Sequence, residues 1–292
     1  MIDWGEMRET SGKKLQAESI RAAVVTASGR DIDIVVHDCI DSTNTWSLQQ
    51  CKAGKALPFA CFAEEQTSGR GRRGKEWMMH AGNNIAMSLS WPFALLHQRI
   101  HLLPLSISMA VVATLEALKL DDIQVKWPND VYVRGRKIAG ILIETQPLGK
   151  DQVDAACADT NHVAAVIGVG LNYDMSVSGH DRPPELPVLT DICHELESVQ
   201  GGEVPQRSYV ASLLLQQVVE MCQSFQQRAE QNLESFRARY DFCKDKSVEI
   251  ILDNGDRRAG VARGVNDNAE LLVMIDGKQH TFNSAQVSVK AS

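Results

Sequence analysis

The stretch Gln66-Thr67-Ser68-Gly69-Arg70-Gly71-Arg72-Arg73-Gly74-Lys75-Glu76-Trp77 sets three arginines among three glycines. Such a loop can hold a polyanion, because glycine lets backbone N–H groups approach a ligand closely and guanidinium forks match phosphate and carboxylate oxygens. A plain surface connection or a nucleic-acid patch can have the same composition. Arginines occupy positions where a dinucleotide fingerprint needs small residues, and no Gly-Lys-Ser/Thr ending marks a P-loop.

Four further stretches carry polar groups or glycines at predicted strand ends: Asp41-Ser42-Thr43-Asn44-Thr45-Trp46, Lys126-Trp127-Pro128-Asn129-Asp130, Arg136-Lys137-Ile138-Ala139-Gly140 and Gly168-Val169-Gly170-Leu171-Asn172. Each has a purely architectural reading beside the chemical one. Ser42 to Asn44 are residues that cap helices, Trp127 suits a core, Lys137 suits a solvated turn, Asp130 suits a turn cap, and paired glycines suit a strand bulge.

The elements that must position these residues follow from periodicity. Residues 15–27 predict a short amphipathic helix and 32–36 a strand. The apolar run 59–63 predicts a buried strand from which the arginine loop departs, and 84–91 a strand that returns from it. Pro104 suits a first helical turn, so 105–120 reads as an almost wholly buried helix. A strand at 123–127, a hairpin turning at 134–136 and a strand at 163–171 follow. Residues 175–189 read as a proline-rich surface loop. After Pro205 one helix continues to Phe225, and a second covers 232–240. Short alternating strands separated by turn residues then fill 248–289, the pattern of a small antiparallel barrel.

The 292 residues are 44% hydrophobic and 23% charged, ordinary globular values, with a net charge of −7 that does not favour nucleic acid or anionic membrane. Seven scattered cysteines include no Cys-x-x-Cys pair, which predicts reduced thiols rather than disulfides or a zinc site. No basic-then-apolar leader opens the chain, and no stretch is expected to approach a membrane span. A cytoplasmic protein is the expectation.

Taken in order, Ser-Thr-Asn, Gly-Arg-Gly-Arg-Arg-Gly, Lys-Trp-Pro-Asn-Asp, Arg-Lys-x-Ala-Gly and Gly-x-Gly-x-Asn resemble the biotin-protein ligases, over about residues 32–290. The resemblance implies an α+β fold, a mixed β-sheet with flanking helices of the class II aminoacyl-tRNA synthetase/biotin ligase kind, plus a C-terminal SH3-like barrel. It divides the chain into a lead at 1–31, a catalytic domain at 32–244 and the barrel at 245–292. The short lead resembles members without an N-terminal DNA-binding domain, so no DNA partner and no repressor activity are expected.

The implied chemistry is attack of the biotin carboxylate on ATP, then transfer of biotin from biotinoyl-5′-AMP to a lysine. The acceptor would be the biotin carboxyl carrier domain of acetyl-CoA carboxylase or a related enzyme. By resemblance, Ser42, Thr43, Asn44, Gln66, Gly69, Arg70, Lys137 and Gly140 would bind biotin. Arg72, Arg73, Trp77, Asn84, Asn129, Asp130 and Asn172 would bind ATP or position its loops. Lys137, Arg70 and Asp130 would carry the catalysis, with Asp130 holding Mg²⁺ or steering the incoming amine. Ala285-Gln286 and Asn268-Ala269 depart from the family pattern and leave any contact of the barrel with ATP or acceptor open. Whether two chains pair as a homodimer is open too, no membrane partner is expected, and a lipoate or octanoate ligase and a nucleic-acid-binding module stand as alternatives.

Overall fold

Seven strands form the main sheet of the computed structural model, which describes residues 14–77, 79, 81–94, 99–149, 162–175, 188–198, 204–284 and 287–291. They are β1 (Asp33–Ile40), β2 (Phe59–Gln66), β3 (Asn84–Ala94), β4 (Ile123–Lys126), β5 (Asp130–Val133), β6 (Arg136–Pro147) and β7 (His162–Asn172). Their order is β1-β2-β3-β7-β6-β5-β4. Only β1 and β2 run parallel; the other neighbours are antiparallel.

The two-residue period of a strand sorts side chains onto two unlike faces. Ile85, Met87 and Leu89 of β3, Ile141 of β6 and Ile167 and Val169 of β7 enter one large apolar core. The helices α1 (Ala17–Ser28), α3 (Leu103–Ala117) and α5 (Arg207–Ser235) close that side, and the short α4 (Ile192–Glu197) precedes α5 in the chain. The opposite face is made of short side chains. Its register runs Ala63, Ala86, Gly170, Gly140, Asp130 and Lys126 in one row across six strands, with Cys61, Ser88, Gly168 and Leu142 in the next. Helix α2 (Thr43–Lys52) covers part of this face, against β2, β3, β6 and β7. The rest is a shallow floor with little side-chain bulk.

Two sequence expectations change. The segment Ile100–Ala117 is 18 residues long with mean hydropathy 1.6, long and apolar enough by composition to cross a membrane. Here it packs as a core helix against α5 and the sheet, so its apolar character serves burial. The two helices expected after Pro205 are one, because 226–231 holds only good helix formers. Helix α5 runs 29 residues and passes into a π-helical turn at Phe236–Tyr240. At the C-terminus β8 (Ser247–Leu252), β9 (Arg257–Val265), β10 (Leu271–Ile275), β11 (Lys278–Phe282) and β12 (Val287–Ala291) pair as a five-stranded antiparallel sheet, in line with the short alternating strands read from the sequence.

That second sheet is bonded to the first. The indole Nε1 of buried Trp127 donates to the carbonyl of Ala269 at 2.8 Å, and Phe242 N donates to Val125 O at 3.0 Å. Trp127 is thus an anchor between sheets. The first thirteen residues, Cys157, most of the proline-rich segment (176–187) and Ala285-Gln286 lie outside the described residues.

Candidate active site

The arginine loop folds on itself as a small hairpin. Trp77 N donates to Gly69 O at 2.9 Å, Gly71 N to Lys75 O at 2.7 Å, and Arg70 bridges Glu76. Gly69 must lack a side chain, since a β-carbon there would collide with the Trp77 carbonyl. Thr67 and Ser68 donate to the carbonyls of Ile40 and Asp41, both at 2.9 Å, so the loop hangs from the ends of β1 and β2. Its last residue, Trp77, turns back onto the floor. A β-carbon at Gly170 would stand 2.7 Å from Trp77 Nε1, and one at Gly140 would stand 3.0 Å from Cζ3. Gly168 and Gly170 lie in regular pairing, so the bulge reading of these two does not hold. The buried Nε1 has no hydrogen-bond partner among the described residues.

Lys137 reaches the same floor through a register slip. It lies three positions before Gly140, an odd offset that would place the two on opposite faces of a regular strand. The β5–β6 pairing shifts after Val131, so Tyr132 opposes Lys137 while Asp130 opposes Gly140, and Ile138 is the extra residue. This bulge returns Lys137 to the floor side. Its ammonium lies 2.7 Å from Asp130 Oδ1 and 5.5 Å from the Trp77 ring centroid. The backbone is fixed on both sides: Lys137 N donates to Val188 O at 2.8 Å, and Thr190 N donates to Lys137 O at 3.0 Å. Asn172 Nδ2 donates to Thr190 O at 3.0 Å and to Lys137 O at 3.4 Å. Beneath this strap, fully buried Glu195 accepts from Arg134, Arg136 and the Thr190 hydroxyl.

A polar cluster around buried Thr43, Asn44 and Ser88 lies on the same face, under α2. Gln66 Oε1 accepts from Thr43 N at 2.8 Å and from the Thr43 hydroxyl at 3.1 Å. Ser88 Oγ lies 2.7 Å from Thr43 Oγ1 and 2.6 Å from the accepting Asn44 Oδ1. Asn44 Nδ2 donates to Glu144 Oε2 at 3.0 Å, and the other Glu144 oxygen takes Arg70, which also donates to Thr45 Oγ1 at 3.2 Å. Gly168 is bare because the Asn44 carboxamide occupies the place of its side chain. Ser42 stands at the N-cap of α2, yet its side chain makes no capping bond. Ser88, Thr45 and Glu144 are site residues that sequence reasoning missed; the signal for Ser88 was the Ser88–Ser90 pair inside an apolar strand.

The remaining residues divide by partner. Arg72 donates to Asn129 Oδ1 at 3.2 Å and to the Ser284 carbonyl; burial pulls its pKa below the usual guanidinium value, with the Asp130 charge opposing. Arg73 pairs with Asp253 and donates to Ile251 O at 3.3 Å, so its guanidinium sits on the second sheet. Asn129 Nδ2 donates to Ile141 O at 2.8 Å, and Asn84 Oδ1 accepts from Tyr173 N at 3.3 Å. Asn84, Asn129 and Asn172 therefore hold backbone in this structure. Asp130 is bonded to a lysine, and among the described residues no three His, Cys, Asp or Glu side chains gather for a metal ion. These groups alone do not form a metal cage.

Comparison with known proteins places this geometry. Residues 36–161 match the model of the biotin/lipoate A/B protein ligase family. The chain is 30% identical over 263 residues to the bifunctional ligase/repressor BirA of Escherichia coli, covering 89% of this chain and 74% of that protein. It is 29% identical over 281 residues to the biotin–(acetyl-CoA-carboxylase) ligase of Mycobacterium tuberculosis, covering 94% and 95%. The fold matches a biotin protein ligase from Aquifex aeolicus in complex with biotin and ATP, with TM-score 0.67 and 20% identity over 89% of this chain and 99% of that one. The chain belongs to the biotin-protein ligase family.

Proposed function

We propose that the chain joins biotin to a protein lysine in two steps at this floor. A biotin carboxylate oxygen attacks the α-phosphorus of ATP, the bond to the bridging oxygen breaks, and pyrophosphate leaves with the bonding pair. A lysine amine then attacks the acyl carbon of biotinoyl-5′-AMP, AMP departs, and the amine loses a proton as the amide forms. One observation carries the reading: the Lys137 ammonium, bonded to Asp130 and set over Gly140, shares one sheet face with the Thr43, Asn44, Gln66 and Ser88 cluster, whose Ser88–Gly168 row adjoins the Gly170–Gly140 row. A cation there offsets charge on the carboxylate, the α-phosphate and the acyl oxygen in turn.

In this reading the polar cluster takes the ureido group of biotin through short donors and acceptors, and Arg70 closes over it. Trp77 presents its ring and Nε1 to the nucleotide, and Arg72 and Arg73 turn to the phosphates. Asp130 orients Lys137. Magnesium carried on the ATP phosphates would offset part of their charge there. The acceptor is a biotin carboxyl carrier domain, and the reaction takes place in the cytoplasm.

Exchange of labelled pyrophosphate into ATP tests the first step. Exchange that requires biotin is the expected result; exchange supported by lipoate and not by biotin, or none at all, overturns the reading.

A further inference from the structure

Lys126 belongs to the Lys-Trp-Pro-Asn-Asp stretch, and nothing in the two steps above uses it. It ends β4 directly opposite Asp130, which in turn opposes Gly140. Opposed residues of an antiparallel pair share a face, so Lys126 stands at the outer end of the row on which Trp77 lies. The side chain is partly buried against the face of Tyr132, whose ring centroid is 5.9 Å from Nζ. Among the described residues its ammonium makes no hydrogen bond or ion pair. Asp130, the carboxylate opposite, is already bonded to Lys137.

The charge balance at this end of the floor is lopsided. Lys126, Lys137 and Arg72 surround one carboxylate, with Lys75 of the arginine loop acting on Lys126 from further out. Burial pulls the Lys126 pKa below the ordinary lysine value; Cys243 and Asp130 oppose that fall, and Lys137 and Lys75 add to it. A desolvated ammonium without an acceptor is costly in a fold, and an anion of several charges supplies what the protein does not.

We propose that Lys126, opposite Asp130 at the end of the glycine row, is a phosphate-binding residue that takes the β- and γ-phosphates as they leave as pyrophosphate. The inference rests on the adenylating reading of this site. Arg72 reaches the same end of β5 through Asn129, so the two cations flank the departing group. Lys137 is left to the α-phosphate and the acyl oxygen.

The test compares the unaltered protein with Lys126→Met and Lys126→Arg in biotin-dependent ATP–pyrophosphate exchange. For Lys126→Met, the pyrophosphate concentration giving half-maximal exchange rises at least about tenfold, the effect of one lost charge-assisted hydrogen bond. Lys126→Arg recovers most of that loss. Biotin affinity measured without ATP stays unchanged, and the Tm of Lys126→Met does not fall, since the methionine removes a desolvated charge. An unchanged pyrophosphate dependence overturns the inference, as does a joint fall in biotin affinity and Tm, which would make the residue structural. If the unaltered protein shows no exchange, the adenylating reading fails. Calorimetry with inorganic pyrophosphate then decides Lys126 separately, and equal binding by both proteins rules it out.

Discussion

Lys137 and Gly140 lie three residues apart on one strand and face the same side of the sheet, because β5 and β6 slip by one residue at Ile138. The slip converts a sequence spacing wrong for a strand into a site where an ammonium overlooks a bare floor. Replacing Lys137 by Ala removes that charge and leaves the straps through Val188 and Thr190, which use only its backbone. Biotin-dependent exchange should fall by about 100- to 1,000-fold, in the range seen when one charge-stabilising donor is lost. Far-ultraviolet circular dichroism should stay unchanged.

Gly168 offers a second test. A methyl group at this position would enter the space of the Asn44 carboxamide, which bonds Ser88 and Glu144. Gly168→Ala should therefore displace Asn44 and weaken biotin binding by about 10- to 100-fold, the loss of roughly one to two hydrogen bonds. Isothermal titration with biotin alone measures it.

Legibility in the sequence varied with the kind of interaction. The strand-end motifs found the floor, because glycine, arginine and asparagine clusters mark places where backbone and ligand come close. The helical core followed from the apolar positions of α3 and α5. Register was hidden: no local signal announced the slip at Ile138, which depends on pairing across two strands. Ser88 and Glu144 stayed unread because each matters only through α2 and the arginine loop, which are distant in sequence. The Arg73–Asp253 pair spans 180 residues and could not be inferred from either end.

Attachment of the second sheet can be measured through Trp127. Trp127→Phe keeps an aromatic ring in the core but leaves the Ala269 carbonyl without its indole donor. A buried acceptor left unpaired costs about 1–3 kcal/mol. Chemical denaturation should show that loss, whereas Asp253→Ala, which breaks a partly exposed pair, should cost under about 1 kcal/mol.

Alkaline pH should weaken the fold through buried thiols. Burial raises Cys61 and Cys243 from 9.0 to about 12, with the Asp241 charge adding to the shift at Cys243. Between those values the unfolded chain releases protons that the folded chain keeps, so stability present below pH 9.0 is lost as pH rises toward 12. Urea midpoints should decline across this window, and less steeply for Cys61→Ala. Exposed Cys39 should react with a thiol reagent well before Cys61, Cys222 and Cys243.

Native mass spectrometry of the protein mixed with biotin, ATP and magnesium reads the activated acid itself. A bound species with the mass of biotinoyl-5′-AMP, lost when either substrate is withheld and strongly reduced in Lys137→Ala, is the expected spectrum. Biotin and ATP bound side by side and unreacted after long incubation would contradict the assignment of this floor as an adenylating centre.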